Sequence, residues 1–237
     1  MIKTISDGPN NHYTMFLGHP LLREKIAEHF SPIFGRELNM NTNIVVTNGA
    51  IGSIFSVIMN LVSAGDEVLM FEPYYTQYVN HIEFSGAKIV TAPMVINSQG
   101  EWLFDFKAFE NAITPRTKLV MITNPHNPSG KMFTEQEIRQ LTEILNKHPQ
   151  ITVLSDDVYF HLPFDGRKYV NFANYSQSNW EKTVTVFSAG KMLNCTGWKI
   201  GWMIGPEDLI TQAMYVHEAC SYNTNNPGQI ALAKSMD

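Results

Sequence analysis

The 237 residues include 17 lysines and arginines against 22 aspartates and glutamates, a formal net charge of −5 with histidines neutral. Such a mildly acidic chain, without a block of like charge, argues against nucleic acid or an anionic membrane as the main partner. With 44% hydrophobic and 16% charged residues the composition is that of a globular protein, not a disordered one, and the length suffices for a sizeable core.

In chain order, Pro20 fits the first turn of a helix, and Leu22, Ile26 and Phe30 follow on one face. Ile44-Val45-Val46-Thr47 reads as a short strand, and Asn48-Gly49 turns the chain into a helix from about Ala50 to Ser63. Gly65-Asp66 leads into a strand from Glu67 to Phe71, followed by a helix around Thr76 to Phe84 and a strand from Lys88 to Thr91. The polar, glycine-containing segment Asn97 to Trp102 reads as a surface loop. Leu119-Val120-Met121-Ile122 is a buried-strand run ending in a turn-rich segment, Asn124 to Gly130. Thr134, three residues before Glu137, is a capping-box start for a helix reaching about Lys147. Further strands are expected at Ile151 to Leu154, Thr183 to Phe187 and Lys199 to Ile204. Strands alternating with helices predict an α/β domain with a mostly parallel sheet, in which ligands bind beyond the carboxyl ends of the strands.

Four clusters fall at such strand ends. Ser188-Ala189-Gly190-Lys191 is followed by Thr196-Gly197-Trp198-Lys199. A lysine behind a small-residue turn can condense with an aldehyde, and a hydroxyl with a second cation can hold a phosphate. Read alone, the segment is equally a loop with two exposed lysines. Asp156-Asp157-Val158-Tyr159 follows the next strand back. There a carboxylate can pair with a ring nitrogen and a tyrosine can donate to a phenolate oxygen, although an isolated aspartate is more often a cap. In Asn124-Pro125-His126-Asn127-Pro128-Ser129-Gly130 two Asn-Pro pairs hold the residues before each proline extended, so that a side-chain amide can reach a ligand. Asn48-Gly49-Ala50-Ile51-Gly52 is a glycine turn into a helix N-terminus, which suits a phosphate. Tyr74-Tyr75 follows another strand, and an aromatic ring there could stack on a planar ligand.

Taken in this order, from about Tyr13 to Ala233, the four clusters resemble the class I/II (fold-type I) aminotransferases, enzymes that use pyridoxal 5′-phosphate (PLP). Within that family the likeness is to the kynurenine/glutamine aminotransferases, which also act as cysteine-conjugate β-lyases. It rests on Asn11-His12-Tyr13-Thr14, on Glu72-Pro73-Tyr74-Tyr75 and on lysine at position 199. The resemblance implies transfer of an amino group between an amino acid and a 2-oxo acid. Lys191 would be the Schiff-base lysine and proton shuttle, and Asp156 would keep the pyridine nitrogen protonated. Tyr159 and Asn127 would hydrogen-bond the 3′ oxygen, and Tyr75 would stack on the ring. Ser188, Lys199 and the amides near Ile51 and Gly52 would bind the phosphate. Tyr13 would reach the phosphate of a partner subunit, so the resemblance implies a homodimer, with Tyr222 at the rim of the partner's site.

The family's chains are longer. The expectation is therefore a large domain over residues 1–237, lacking an N-terminal arm and a C-terminal small domain that supplies an arginine for the substrate α-carboxylate. Arg23, Arg36, Arg116, Arg139 and Arg167 do not match that position. Ile51 stands where a tyrosine is common, and Asp157 replaces a glutamate, a change expected to have little effect. A C–S β-lyase on the same scaffold and a non-catalytic PLP-binding fragment are the alternatives. Two cysteines, Cys195 and Cys220, cannot build a disulfide framework. No signal-peptide pattern is present, and the most apolar stretch, Ile51 to Val62, is interrupted by Gly52, Ser53, Ser56 and Asn60. A soluble, cytoplasmic protein is expected, with a mitochondrial one as the alternative.

Overall fold

The computed structural model describes residues 1–236. Eight strands form one sheet: β1 (Ile44–Thr47), β2 (Glu67–Glu72), β3 (Lys88–Ile96), β4 (Trp102–Phe104), β5 (Thr117–Thr123), β6 (Thr152–Asp156), β7 (Thr183–Ser188) and β8 (Gly201–Ile204). Their spatial order is β1-β8-β7-β6-β5-β2-β3-β4. The central run is parallel from β3 through β2, β5 and β6 to β7, whereas β8 pairs antiparallel with both β7 and β1, and β4 antiparallel with β3. The reversal of β8 matters for the site, because it brings the start of that strand to the edge where its neighbours end.

Among the described residues ten α-helices surround the sheet: α1 (Ile2–Ile5), α2 (Pro20–Phe34), α3 (Gly49–Leu61), α4 (Gln77–Ser85), α5 (Phe106–Ala112), α6 (Glu135–Asn146), α7 (Gln177–Trp180), α8 (Ala189–Met192), α9 (Glu207–Ser221) and α10 (Asn226–Ala233). Local chemistry fixes their ends. Pro20 opens α2 behind His19, whose Nδ1 accepts from the Leu21 amide at 3.2 Å, and Gly35 closes it in the left-handed conformation. The capping box at α6 is complete: the Glu137 amide donates to Thr134 Oγ1, and the Thr134 amide donates to the Glu137 carboxylate.

Strand alternation sorts side chains to two faces. Val45, Val68, Met70, Leu119, Met121, Val184, Val186 and Met203 meet α3, α4 and α9 through Ile54, Ile58, Tyr78, Ile82, Ile210 and Ala213. On the opposite face Ile44, Val46, Phe187 and Trp202 pack against Leu22, Ile26, Phe30 and Phe34 of α2 and Leu232 of α10. Leu69, Phe71, Val120 and Val153 continue that face under α5 and α6. Burial of both faces explains the near-continuous apolar runs of the central strands. No helix among the described residues is long and apolar enough to cross a membrane.

Several boundaries differ from the sequence expectation. The strand from Lys88 runs on to Ile96, and the expected loop ends where Trp102 begins β4. Pro93 interrupts the apolar stretch Ala92 to Ile96, and Val95 and Ile96 are exposed, so the continuation does not read as a buried strand. The strand expected from Lys199 starts at Gly201, because Lys199 itself is left-handed with φ 53°.

Candidate active site

All four clusters and Tyr75 meet at one edge of the sheet. Thr47 and Ser188 are both in register with Gly201, so the turn after β1, the turn after β7 and the start of β8 lie side by side. Their closeness depends on a glycine: a Cβ on Gly201 would lie 2.5 Å from the Ala50 nitrogen and 2.7 Å from the Phe187 oxygen, both backbone atoms. Gly49, at φ +70°, makes the turn into α3 directly against Lys199. A non-glycine residue in the left-handed region costs about 1 kcal/mol, and at Lys199 that conformation accompanies a side chain lining the cavity.

The resulting cavity, about 210 Å³, is lined by Ile51, Tyr75, Asn127, Asp156, Tyr159, Ser188, Lys191 and Lys199 together with Gly49, Ala50, Thr196 and neighbouring apolar residues. Lys191 Nζ lies 5.5 Å from the centre of the Tyr159 ring, and the Ser188 hydroxyl accepts from the Lys191 amide at 3.3 Å. Asn127 lines the cavity because its loop is braced from behind. The Asn124 amide group donates to the Val170 carbonyl at 2.9 Å and its oxygen accepts from the Phe133 amide at 3.2 Å. His126 Nδ1 meets Ser129 Oγ at 2.7 Å, and burial pushes that ring's pKa down to about 4, so it braces as a neutral group. Gly52 is absent from the cavity wall, one residue further into α3.

Asp156 ends β6, buried. Its Oδ2 accepts a 2.6 Å hydrogen bond from Tyr78, whose hydroxyl also meets Thr123 Oγ1 at 3.0 Å. Its Oδ1 is buried with no hydrogen-bond partner among the described residues. Burial pushes the carboxyl up to about 6, against the lowering effects of the Tyr78 bond, the Val158 amide and the Lys191 charge. A buried acceptor of this kind fits a positively charged N–H donor, the group a protonated pyridine presents. Tyr78 was not found by reading the sequence. Its spacing from Tyr75 places the two rings 5.5 Å apart at the start of α4, but only the fold shows that it reaches β6.

Asp157, the next residue, has a structural role. It is fully buried and accepts from Ser155 Oγ at 2.6 Å, from the Tyr169 hydroxyl and from Asn171 Nδ2 at 3.2 Å. Its carboxylate ties the segment at Tyr169–Asn171 to the end of β6, and burial pushes its pKa up to about 7. The partners lie 12 and 14 residues further along the chain, beyond any local pattern.

Two aromatic residues from the sequence reading sit outside the cavity. Tyr13 is 79% exposed and stands edge-on to Tyr222 at 5.1 Å, with Phe16 5.4 Å from Tyr222. The Asn223 side chain donates to the Thr14 carbonyl at 2.9 Å, lacing the two segments together. Among the described residues lining the cavity there is no arginine. Arg23 is buried against the Gly18 and Met40 carbonyls, Arg36 lies over Trp180, and Arg116 pairs with Glu67.

Comparison with known proteins agrees with this geometry. The family profile described as aminotransferase class I and II matches residues 1–237. The chain is 38% identical over 250 residues to a kynurenine–oxoglutarate transaminase of Dictyostelium discoideum, covering 100% of this chain and 57% of that protein. It is 39% identical over 236 residues to a probable kynurenine–oxoglutarate transaminase of Saccharomyces cerevisiae, covering 96% and 52%. The crystal structure of Bna3p, described as a putative kynurenine aminotransferase from Saccharomyces cerevisiae, superposes with a TM-score of 0.95 at 38% identity, covering 99% of this chain and 57% of the other. N-succinyldiaminopimelate aminotransferase from Mycobacterium tuberculosis superposes at 0.94 with 36% identity, covering 100% and 60%. The chain thus spans about half the length of the curated relatives it matches.

Proposed function

The chain belongs to the class I and II aminotransferases, whose members depend on PLP, and on that premise we propose that it is the cofactor-binding large domain of an enzyme moving an amino group between an amino acid and a 2-oxo acid. The observation that carries the reading is the pairing, in one cavity, of the Lys191 amine with the buried, singly capped carboxylate of Asp156. When bound, PLP supplies an aldehyde that condenses with amines and a ring that withdraws electrons from the substrate Cα. Asp156 Oδ1 would hold the ring nitrogen in its protonated form. Tyr159 and Asn127 would donate to the ring oxygen, and Tyr75 would cover one face. Ser188, Lys199 and the first amides of α3 would bind the phosphate, where the helix N-terminus and a cation act together. Lys191 would anchor the cofactor, then carry a proton from the substrate Cα to the carbon that receives it. Ile51 and Tyr75 also line the cavity, where they would bound the space left for the substrate.

The kynurenine–oxoglutarate transaminases at 38% and 39% identity point to kynurenine and 2-oxoglutarate as the pair to assay first. With PLP supplied, glutamate should form from 2-oxoglutarate only when an amino donor is present. Release of pyruvate and a thiol from a cysteine S-conjugate, without glutamate formation, would replace transfer by β-elimination.

The partner we propose is a second copy of the chain. Tyr13, Phe16 and Tyr222 form an exposed aromatic cluster of the kind that marks an interface, and Tyr13 is the residue that the family resemblance directs to a partner's phosphate. Light scattering should give twice the chain mass, and Tyr13→Ser with Phe16→Ser should shift the population to monomer. A monomeric parent chain would overturn this assignment.

A further inference from the structure

The turn that opens α3 is held by a residue outside the cavity wall. His217, on α9, is 1% exposed, and its Nε2 accepts a hydrogen bond from the Asn48 backbone amide at 3.2 Å, across 169 residues of chain. The ring also packs on the first turn of α3, with Cδ2 3.7 Å from where a Cβ of Gly52 would stand. Asn48 itself has no side-chain cap bond to offer the helix. On the inner side Thr47 Oγ1 donates to the Gly49 carbonyl at 3.0 Å and meets Ser53 Oγ at 2.6 Å. The turn is therefore clamped between β1 and α9, with Gly49, Ala50 and Ile51 on the cavity wall.

Packing between α3 and α9 does not need a histidine. Nδ1 of His217 is buried with no partner among the described residues, and an unpaired buried polar atom is a cost that an apolar side chain would avoid. Burial pushes the ring's pKa down to about 4, which keeps it neutral and leaves Nε2 free to accept. What the histidine adds over an apolar residue is that single acceptor, aimed at the residue before the phosphate-binding turn.

We propose that His217 is a positioning residue for the cofactor phosphate: by accepting from the Asn48 amide it fixes the first turn of α3 so that the amides of Ala50 and Ile51, which have no partner within the helix, face the cavity. The inference rests on the reading of the cavity as a PLP site. It concerns the phosphate alone, so it separates from the roles of Lys191 and Asp156.

The test compares PLP with pyridoxal, which has the same ring and aldehyde but no phosphate. Dissociation constants for both are measured by absorbance titration for the parent chain, His217→Leu and His217→Gln. The parent chain should prefer PLP strongly. In His217→Leu that preference should shrink about tenfold, the effect of misplacing one or two amide contacts to an anion, with pyridoxal affinity nearly unchanged. His217→Gln, whose side-chain oxygen can accept from the same amide, should recover most of the preference. If the leucine variant does not fold, His217→Asn replaces it, being polar but too short to reach Asn48. Parallel loss of PLP and pyridoxal affinity, or a glutamine variant no better than leucine, would overturn the positioning role. A parent chain with no preference for PLP over pyridoxal would instead remove the cofactor-site reading on which the inference stands.

Discussion

Lys191→Ala is expected to abolish exchange of the substrate α-proton with solvent deuterium, in the presence of PLP, by a factor of at least roughly 10³. Two roles disappear with one side chain. Among the described residues Lys191 and Lys199 are the lysines lining the cavity, and the Lys191 amine lies over the Tyr159 ring. In the proposed reaction it would also be the base that removes the proton. Binding of the phosphate should survive, because Ser188, Lys199 and the α3 turn are untouched. Lys199→Ala gives the contrasting pattern: weaker PLP binding, with exchange recovered at saturating cofactor. If the two variants lost exchange equally under saturation, the assignment of the anchor would be wrong.

Asp156→Ala should lower amino-group transfer by roughly 10³-fold, since an ionised partner at the ring nitrogen acts in a water-excluded site where such an interaction is strong. Its pH signature has a definite sign. The folded carboxyl sits at about 6, above the ordinary 3.8, because burial dominates. Without ligand, its contribution to stability is therefore fully present below about pH 4 and is lost as pH rises through about 6. A cationic ring nitrogen at Oδ1 converts that cost into an attraction. Pyridoxine 5′-phosphate, which has no aldehyde and so leaves Lys191 out of the measurement, should raise the melting temperature more at pH 7.5 than at pH 5. Asp156→Asn should flatten that difference. The neighbouring Asp157→Ala acts otherwise: it strips Tyr169, Asn171 and Ser155 of their shared acceptor and should cost about 2–4 kcal/mol of folding stability. Equal pH dependence in the parent and Asp156→Asn would mean that the carboxylate does not meet the ring.

The central strands were legible because β2, β5, β6 and β7 are buried on both faces and read as apolar runs bounded by turns. So were the clusters at their ends, since each is a contiguous stretch of sequence. What escaped lay at the edges or acted across the chain. α9 buries Ile210, Ala213 and His217, and two of those three are not large apolar residues, so its face carries little hydrophobic signal. Pro206 followed by Glu207 and Asp208 is the start signal that would have located it. Tyr78 and His217 hydrogen-bond to groups 78 and 169 residues away, and no spacing within the sequence announces such contacts. The role of Asp157 was hidden for the same reason: its partners Tyr169 and Asn171 lie 12 and 14 residues along the chain.

The central claim is that Lys191 anchors PLP in this cavity, and the most direct measurement is borohydride reduction of the PLP-treated chain followed by peptide mapping. The account predicts one cofactor per chain, attached to Lys191 and lost in Lys191→Ala. Stoichiometric attachment to Lys199, or labelling spread over surface lysines with none at Lys191, would contradict it.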